Sequence, residues 1–210
     1  MFRHVYVLSL LVLLAINTVS AVDYTVTNRA TATAGGARFI TDIGVDYSKQ
    51  TLASATDFIW ETFQQTNAAD RKNIQTVNLF IDVMDGVAYA VNDEIHVKIT
   101  GVLYHEMAHI WQWNGNGQAP GGLIEGIADF ARLKANYAPS HWVQPGQGDR
   151  WDQGYDVTAK FLDYCNDLRN GFIAELNKKM MTGYSAQFFV DLLGKTVDQL
   201  WTDYKARYGQ

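Results

Sequence analysis

Residues 101–133 have the sequence GVLYHEMAHIWQWNGNGQAPGGLIEGIADFARL, and this stretch decides the fold. His105 and His109 are four residues apart, so on a helix they lie on one face and can both direct imidazole nitrogens at one ion. Glu106 is one step further round, beside that ion, where its carboxylate can take a proton from a water molecule. The motif therefore predicts a helix that carries a zinc site, rather than two surface histidines that only form hydrogen bonds.

A second helix is predicted after the glycine-rich loop at residues 114–122. It carries Glu125 and Asp129, again four residues apart on one face and set among Leu, Ile, Ala and Gly. If the two helices run antiparallel, Glu125 reaches the ion as third ligand, while Asp129 reaches the outer N–H of a ligand histidine and fixes its tautomer. Asp129 is the alternative third ligand. Two histidines and one glutamate leave a fourth position for water, as in catalytic zinc sites.

The composition excludes other kinds of site. The 210 residues hold 17 Lys plus Arg, 22 Asp plus Glu and one Cys, which gives a net charge of −5. An acidic chain without a basic block is a poor match to nucleic acid, whose binders need a Lys and Arg surface. The one cysteine, Cys165, can form neither an intramolecular disulfide nor a thiolate zinc cage, and its apolar neighbours predict a buried thiol.

The first residues have the pattern of a secretory signal peptide. An apolar run at residues 5–16 is followed by small residues at Ser20 and Ala21. The run is too short for a membrane-spanning helix, which needs about 20 apolar residues. We therefore expect residues 1–21 to be removed, so that residues 22–210 form one secreted domain without membrane contact.

The hydrophobic pattern divides the remaining chain into a strand-rich first half and a helical second half. Strands are predicted at residues 24–27, 38–42, 77–83, 87–91 and 94–99, with a turn at 84–86 and one helix at 52–65. Helices are predicted at residues 100–113, 122–138, 155–168, 171–181, 185–193 and 196–207. The alternation in the last strand places His96 on its exposed face, and His96 is not expected to be a ligand.

Strands followed by helices indicate an α+β fold. We expect a twisted N-terminal β-sheet with one helix, then the active-site helix with the two histidines, the glutamate helix with Glu125 and a helical C-terminal half.

The stretch at residues 101–133 resembles the plant basic secretory proteins, which are pathogenesis-related secreted proteins of the zincin peptidase clan. The likeness continues in four further segments, at residues 69–72, 84–89, 150–156 and 175–179. The pairing of His-Glu-x-x-His with a Glu-x-x-x-Asp helix is also similar to the gluzincin metallopeptidases. The resemblance implies a zincin-like metallopeptidase fold, a secreted zinc endopeptidase in the apoplast or cell wall, and a role in plant defence. It also implies that His105 and His109 are ligands, Glu106 the base and Glu125 the third ligand.

The chemistry expected is hydrolysis of a peptide bond assisted by zinc. Glu106 accepts the proton of the attacking water and delivers it to the leaving amine. The oxyanion that forms needs a hydrogen-bond donor, and Tyr155, His141 and Arg150 are candidates from the loop after the motif. Tyr155 comes first because it follows a turn at Gly154, and packing in the core is its alternative role.

Two features set the chain apart from the family that it resembles. The chain is acidic, and the segment that joins the strand at residues 92–98 to the active-site helix is shorter than in the family. In zincins this region supplies an edge strand along which an extended peptide can pair. A second function therefore stays open, that of a non-catalytic or weakly active secreted defence protein that binds a microbial protein or polysaccharide. For the peptidase, the expected partners are zinc and a polypeptide substrate, taken by a monomer, with no nucleic acid and no membrane.

Overall fold

The computed structural model describes residues 22–83, 88–97 and 103–209. The predicted signal peptide at residues 1–21 and the predicted turn at 84–86 lie outside the described residues, as do residues 98–102 before the helix with the two histidines. Within the described ranges, no helix is long and apolar enough to cross a membrane. The structure is of the α+β class, with a small sheet and a larger set of helices.

The strands of the described residues form a sheet at the N-terminal side of the chain. They are β1 (Asp23–Asn28), β2 (Thr76–Ile81), β3 (Ala88–Val91) and β4 (Glu94–Val97), in the order β1-β2-β4-β3. β1, β2 and β4 are parallel, and β3 pairs antiparallel with β4. A two-residue turn at Asn92 and Asp93 joins β3 to β4, and Asn92 takes the left-handed conformation with φ 55°. This topology puts β3 at one edge of the described sheet.

The helices begin before β2 and dominate the chain after β4. Their bounds are α1 (Ala34–Arg38), α2 (Gly44–Thr62), α3 (Leu103–Trp111), α4 (Gly121–Lys134), α5 (Tyr155–Leu168), α6 (Phe172–Lys179), α7 (Gln187–Leu193) and α8 (Val197–Arg207). The helices predicted beyond residue 100 are confirmed, and α5 has the predicted bounds. The first long helix begins at Gly44 rather than at residue 52.

The strand predicted at residues 38–42 is wrong, because this segment is helical. The side chain of Thr33 caps α1, and the chain continues from α1 through a π-helical turn at Phe39–Ile43 into α2. In that turn Phe39 is 3% exposed whereas Ile40 is 59% exposed. The β-branched residues favoured a strand locally, but the burial of one face of a continuous helix outweighs that preference.

The exposure predicted for His96 is also wrong, because β4 lies inside the sheet with both of its faces covered. The His96 side chain is buried, and its ring stacks on Phe80 with centroids 5.1 Å apart. Its Nδ1 contacts the carboxylate of Asp82, and its Nε2 lies 3.2 Å from Glu94 Oε2. Alternation in a sequence distinguishes the two faces of a strand but does not say what covers each face.

A hydrophobic core connects the sheet to the helices. α2 packs against β1 and α3, α3 packs against α2, α4 and β3, and α4 packs against α5. β2 buries Val77, Leu79 and Ile81 in this core, and Cys165 of α5 is buried as predicted. The order of packing holds α3 and α4 side by side between the sheet and the C-terminal helices.

Candidate metal centre

Helix α3 presents the two histidines on one side and apolar residues on the other. Met107, Ile110 and Trp111 are at most 1% exposed, and their burial fixes the rotation of the helix about its axis. Because 3.6 residues complete a turn, His105 and His109 lie away from these residues, and both line a cleft. The core-facing residues of α3 therefore decide where the histidines point.

α4 runs antiparallel to α3 and brings two carboxylates to the histidines. Glu125 Oε2 lies 3.1 Å from His105 Nε2 and 3.5 Å from His109 Nε2. Asp129 Oδ1 lies 2.7 Å from the other ring nitrogen of His105, Nδ1. The structure thus places Glu125 with the two facing imidazole nitrogens and Asp129 behind His105.

Three atoms that face one another, His105 Nε2, His109 Nε2 and Glu125 Oε2, have a spacing that fits a metal ion. They are called the three inner atoms below. His105 Nε2 and His109 Nε2 are 3.1 Å apart, and the two distances to Glu125 Oε2 are 3.1 and 3.5 Å. Ligand atoms around a tetrahedral zinc ion are about 3.4 Å from one another, because Zn–N and Zn–O bonds are about 2.0–2.2 Å long. Two imidazole nitrogens and one carboxylate oxygen are also donors that zinc accepts. This group could therefore hold a metal ion.

The contacts among these groups move two pKa values in opposite directions. Burial lowers the pKa of His105, but its hydrogen bonds with Asp129 and Glu125 outweigh burial and raise that pKa to about 9. Burial raises the pKa of Glu125, but its hydrogen bonds with His105 and His109 outweigh burial and lower that pKa to about 2. The group therefore stabilises positive charge at the point where the three inner atoms meet.

Glu106 lies beside the three-atom group without belonging to it. Its side chain is 4% exposed and lines the cleft, and its Oε2 has no hydrogen-bond partner among the described residues. Burial raises the pKa of Glu106, and the charges of His105 and His109 oppose that rise. A buried carboxylate with a raised pKa and an unpartnered oxygen is suited to accept and release a proton.

Each histidine has a partner on its outer ring nitrogen. Asp129 is 3% exposed and is the partner of His105. His109 Nδ1 lies 2.6 Å from Gln112 Nε2, which also donates a hydrogen bond to the carbonyl of Ile124 at 3.2 Å. The Gln112 Oε1 atom is buried and has no partner in the described part of the chain. Gln112 is not among the residues predicted from the sequence, and its position one helical turn after His109 was the available signal.

Tyr155 lies in the cleft rather than in the core, so its alternative role as a core aromatic is wrong. Its side chain is 57% exposed, and its ring lies parallel to that of His105 with centroids 6.1 Å apart. It has φ 46°, a left-handed conformation that is rare for an aromatic residue. The turn is held by Thr158, whose hydroxyl accepts a hydrogen bond from the Gly154 N–H and donates one to the Trp151 carbonyl.

The other two predicted donors differ in position. His141 lines the cleft, as do Arg132 and Trp142. Arg150 forms an ion pair with Asp152 at 3.4 Å and is not among the described residues that line the cleft. The structure therefore brings His141 to the cleft that contains His105, His109 and Glu125, and it leaves Arg150 outside that cleft.

The cleft that contains these groups is open and has a volume of about 940 Å³. Ala88 and Ala90 of the edge strand β3 line one part of it. Lys72 lines the part next to His109, whose carbonyl oxygen accepts a hydrogen bond from Lys72 Nζ at 3.3 Å. The lining of the cleft thus includes the edge strand β3, His105, His109, Glu125 and Lys72.

Comparison with protein families gives a match over most of the chain. The family described as peptidases of plants and bacteria, the basic secretory proteins, matches residues 19–100 and 91–204. The chain belongs to this family. The basic secretory protein match comes in two stretches that overlap at residues 91–100, just before α3. That is the place where the sequence analysis expects a shorter segment than the family has.

A relative within this family has a peptidase name. The "Basic secretory protease" of Boswellia serrata is 51% identical over 59 residues, which are 28% of this chain and 67% of that protein. The predicted membership of the basic secretory protein family is therefore confirmed. No solved structure matches the chain.

Proposed function

We propose that this protein is a secreted zinc-dependent metallopeptidase that hydrolyses peptide bonds. The observation that carries the proposal is the triangle of His105 Nε2, His109 Nε2 and Glu125 Oε2, with edges of 3.1–3.5 Å and Glu106 unpartnered beside it. The family description and the relative's name support peptidase activity. The donor set and its spacing support zinc as the metal.

In this proposal His105, His109 and Glu125 hold the zinc ion. When bound, zinc supplies a Lewis acid that polarises a carbonyl group and lowers the pKa of a water molecule. Asp129 accepts the Nδ1 proton of His105, which leaves the Nε2 lone pair for the metal. The Gln112 amide orients the ring of His109, because its Nε2 lies 2.6 Å from His109 Nδ1 and is held by the Ile124 carbonyl.

Glu106 is the general base. Its unpartnered Oε2 accepts the proton of the attacking water, and the same carboxyl group then delivers that proton to the leaving amine. Burial favours the protonated form that must exist between the two transfers, because it raises the pKa of this carboxyl group. The proton therefore stays inside the cleft between the attack of the water and the cleavage of the peptide bond.

Tyr155 is the donor to the oxyanion. Its ring lies parallel to that of His105 and its side chain is exposed to the cleft. The charge of Glu125 raises the pKa of Tyr155 and so keeps its hydroxyl protonated. A fixed hydroxyl donor stabilises the charge that develops on the carbonyl oxygen.

The edge strand β3 offers a place for a polypeptide substrate to pair. Its residues Ala88 and Ala90 line the cleft, and no strand of the described residues pairs with its outer edge. An extended peptide can add to such an edge through main-chain hydrogen bonds.

A parallel sheet with an antiparallel edge strand above the histidine helix supports a zincin-like fold.

The setting that we propose is extracellular. The apolar segment at residues 5–16 supports a signal peptide, and the relative from Boswellia serrata is named a secretory protease. We further propose that the protein acts as a monomer on polypeptide substrates in the apoplast or cell wall, in plant defence.

Zinc analysis combined with a Glu106→Gln variant tests the proposal. We expect both forms to bind one equivalent of zinc, and the variant to cleave a denatured protein about a thousandfold more slowly, because a general base is lost. The zinc content is measured by mass spectrometry after dialysis, and cleavage is measured by the release of peptides. Glu61→Gln, an exposed residue of α2, is the matched control and should cleave at the wild-type rate.

The outcomes separate the peptidase from the alternative function. A purified protein without zinc, or equal cleavage by the wild type and Glu106→Gln, would exclude the zinc peptidase. Zinc binding without cleavage by either form would favour a defence protein that acts by binding a microbial protein or polysaccharide. The divided family match before α3 is the observation that keeps this alternative open.

A further inference from the structure

We propose that Lys72 forms a subsite for a carboxylate group of the substrate, at the end of the cleft next to His109. This inference rests on the proposed peptidase function and names a substrate preference for it. The carboxylate belongs either to an Asp or Glu side chain of the peptide or to the peptide's C-terminus, since both present the same chemistry to an ammonium group.

The position of Lys72 brings its ammonium group to the cleft. It lies in the segment between α2 and β2, and it is both partly buried and a lining residue of the cleft. Lys72 Nζ donates a hydrogen bond to the His109 carbonyl at 3.3 Å and lies 6.0 Å from the centroid of the Trp113 ring. These contacts hold the ammonium group beside the backbone of His109, one of the proposed metal ligands. They do not use all three of its N–H donors.

The charge of Lys72 lacks a partner that other lysines of the chain have. Four lysines each form an ion pair with an aspartate, and they are Lys134, Lys178, Lys179 and Lys195. Lys72 forms no ion pair with a carboxylate of the described residues, and its side chain is partly buried. A partly buried cation without a counter-ion gains more from an incoming carboxylate than a solvated one does.

Of the carboxylates that line the described cleft, Glu106 is the proposed general base, and the other three are engaged with other groups. Glu125 and Asp129 contact the histidines, and Asp156 accepts a hydrogen bond from the Val143 N–H at 2.8 Å. The other cationic side chain of the cleft, Arg132, donates to the Tyr137 carbonyl and feels the charge of Asp129. Lys72 is therefore available to bind a carboxylate group of the substrate.

Three matched sets of peptides test the subsite. The probes are capped peptides of one neutral sequence with a single Glu placed in turn at each position, the same set with Gln, and the Gln set with a free C-terminal carboxylate. We expect the wild type to prefer one Glu peptide over its Gln counterpart by about tenfold in kcat/KM, the effect of one hydrogen bond to a charged group. A preference confined to the peptides with a free C-terminus would assign the subsite to the terminal carboxylate.

Three lysine variants decide what Lys72 contributes. Lys72→Met should abolish the preference for Glu, Lys72→Arg should keep it, and Lys49→Met, which changes an exposed lysine of α2, should leave it unchanged. If Lys72 only caps the end of α3, Lys72→Met lowers stability while the ratio of Glu to Gln cleavage stays as in the wild type. That result would overturn the inference.

A binding measurement separates this inference from the proposed function. The same peptides are titrated into the Glu106→Gln protein loaded with zinc, and binding is followed by fluorescence anisotropy. If the wild type cleaves nothing, the peptidase proposal fails, and the Lys72 subsite is still decided by whether Lys72→Met removes the tighter binding of the Glu peptide. Equal binding of the Glu and Gln peptides by the Glu106→Gln protein would exclude the subsite.

Discussion

The two histidines proposed as metal ligands differ in what contacts their outer ring nitrogens. Asp129 gives His105 a carboxylate oxygen at 2.7 Å, whereas His109 has the amide of Gln112 at 2.6 Å. An imidazole that gives its Nε2 lone pair to a metal carries its proton on Nδ1, so the outer group must accept. The Gln112 Oε1 atom, buried without a partner in the described structure, supplies such an acceptor if the amide turns over.

In the proposed zinc site, Gln112 should contribute to metal affinity through His109. We expect Gln112→Leu to weaken zinc binding about tenfold, because the variant removes the group that orients the His109 ring. The affinity is measured by competition with a chromophoric chelator. Gln187→Leu, at an exposed position of α7, serves as control. Unchanged zinc affinity in Gln112→Leu would show that His109 needs no partner at Nδ1.

At the element scale, the close approach of α4 and α5 positions both Glu125 and the turn before Tyr155. Gly126 makes this approach possible, because a Cβ at that position would lie 2.2 Å from Thr158 Cγ2. Thr158 in turn bonds to the Gly154 N–H and to the Trp151 carbonyl. One glycine in α4 thus connects the position of the glutamate to the geometry of the cleft.

Gly126→Ala should destabilise the protein by about 2 kcal/mol, because the added methyl group forces α4 and α5 apart. Urea unfolding followed by circular dichroism measures the change. Gly121→Ala, at the start of the same helix, has no atom within 4 Å of the added Cβ and should leave stability nearly unchanged. If both variants unfold at the same urea concentration as the wild type, the packing of α4 on α5 is looser than the contact with Thr158 implies.

The sequence predicted those elements whose signal is local. The prediction of the helix at residues 155–168 is confirmed. Both of its signals, the apolar spacing and the glycine at Gly154, lie within the segment itself. The segment at residues 38–42 and the burial of His96 were predicted wrongly, because both depend on what packs against them from distant parts of the chain. Gln112 was missed for the same reason, since its role depends on α4.

For the molecule as a whole, the contacts of His105 and Glu125 link the free energy of unfolding to pH. The folded protein holds the pKa of His105 at about 9, above its ordinary value of 6.5. The hydrogen bonds of protonated His105 therefore contribute fully to stability below pH 6.5 and are lost as the pH rises through 9. Glu125 shows the opposite sign, since its pKa falls from 4.5 to about 2 and its contribution is lost as the pH falls through 2. These two shifts describe one set of contacts, so their energies do not add.

The metal-free protein should therefore lose stability between pH 6.5 and pH 9, by at most about 3 kcal/mol, because more protons are bound to the folded than to the unfolded chain in this range. Urea unfolding in the presence of a chelator, at intervals across this range, measures the loss. With zinc bound, the loss should disappear, because the metal replaces the proton on His105 and its binding improves as protons leave. His105→Asn in chelator is the matched control and should flatten the profile. A metal-free wild type whose stability stays level or rises from pH 6.5 to 9 would show that His105 is not held in its protonated form by Asp129 and Glu125.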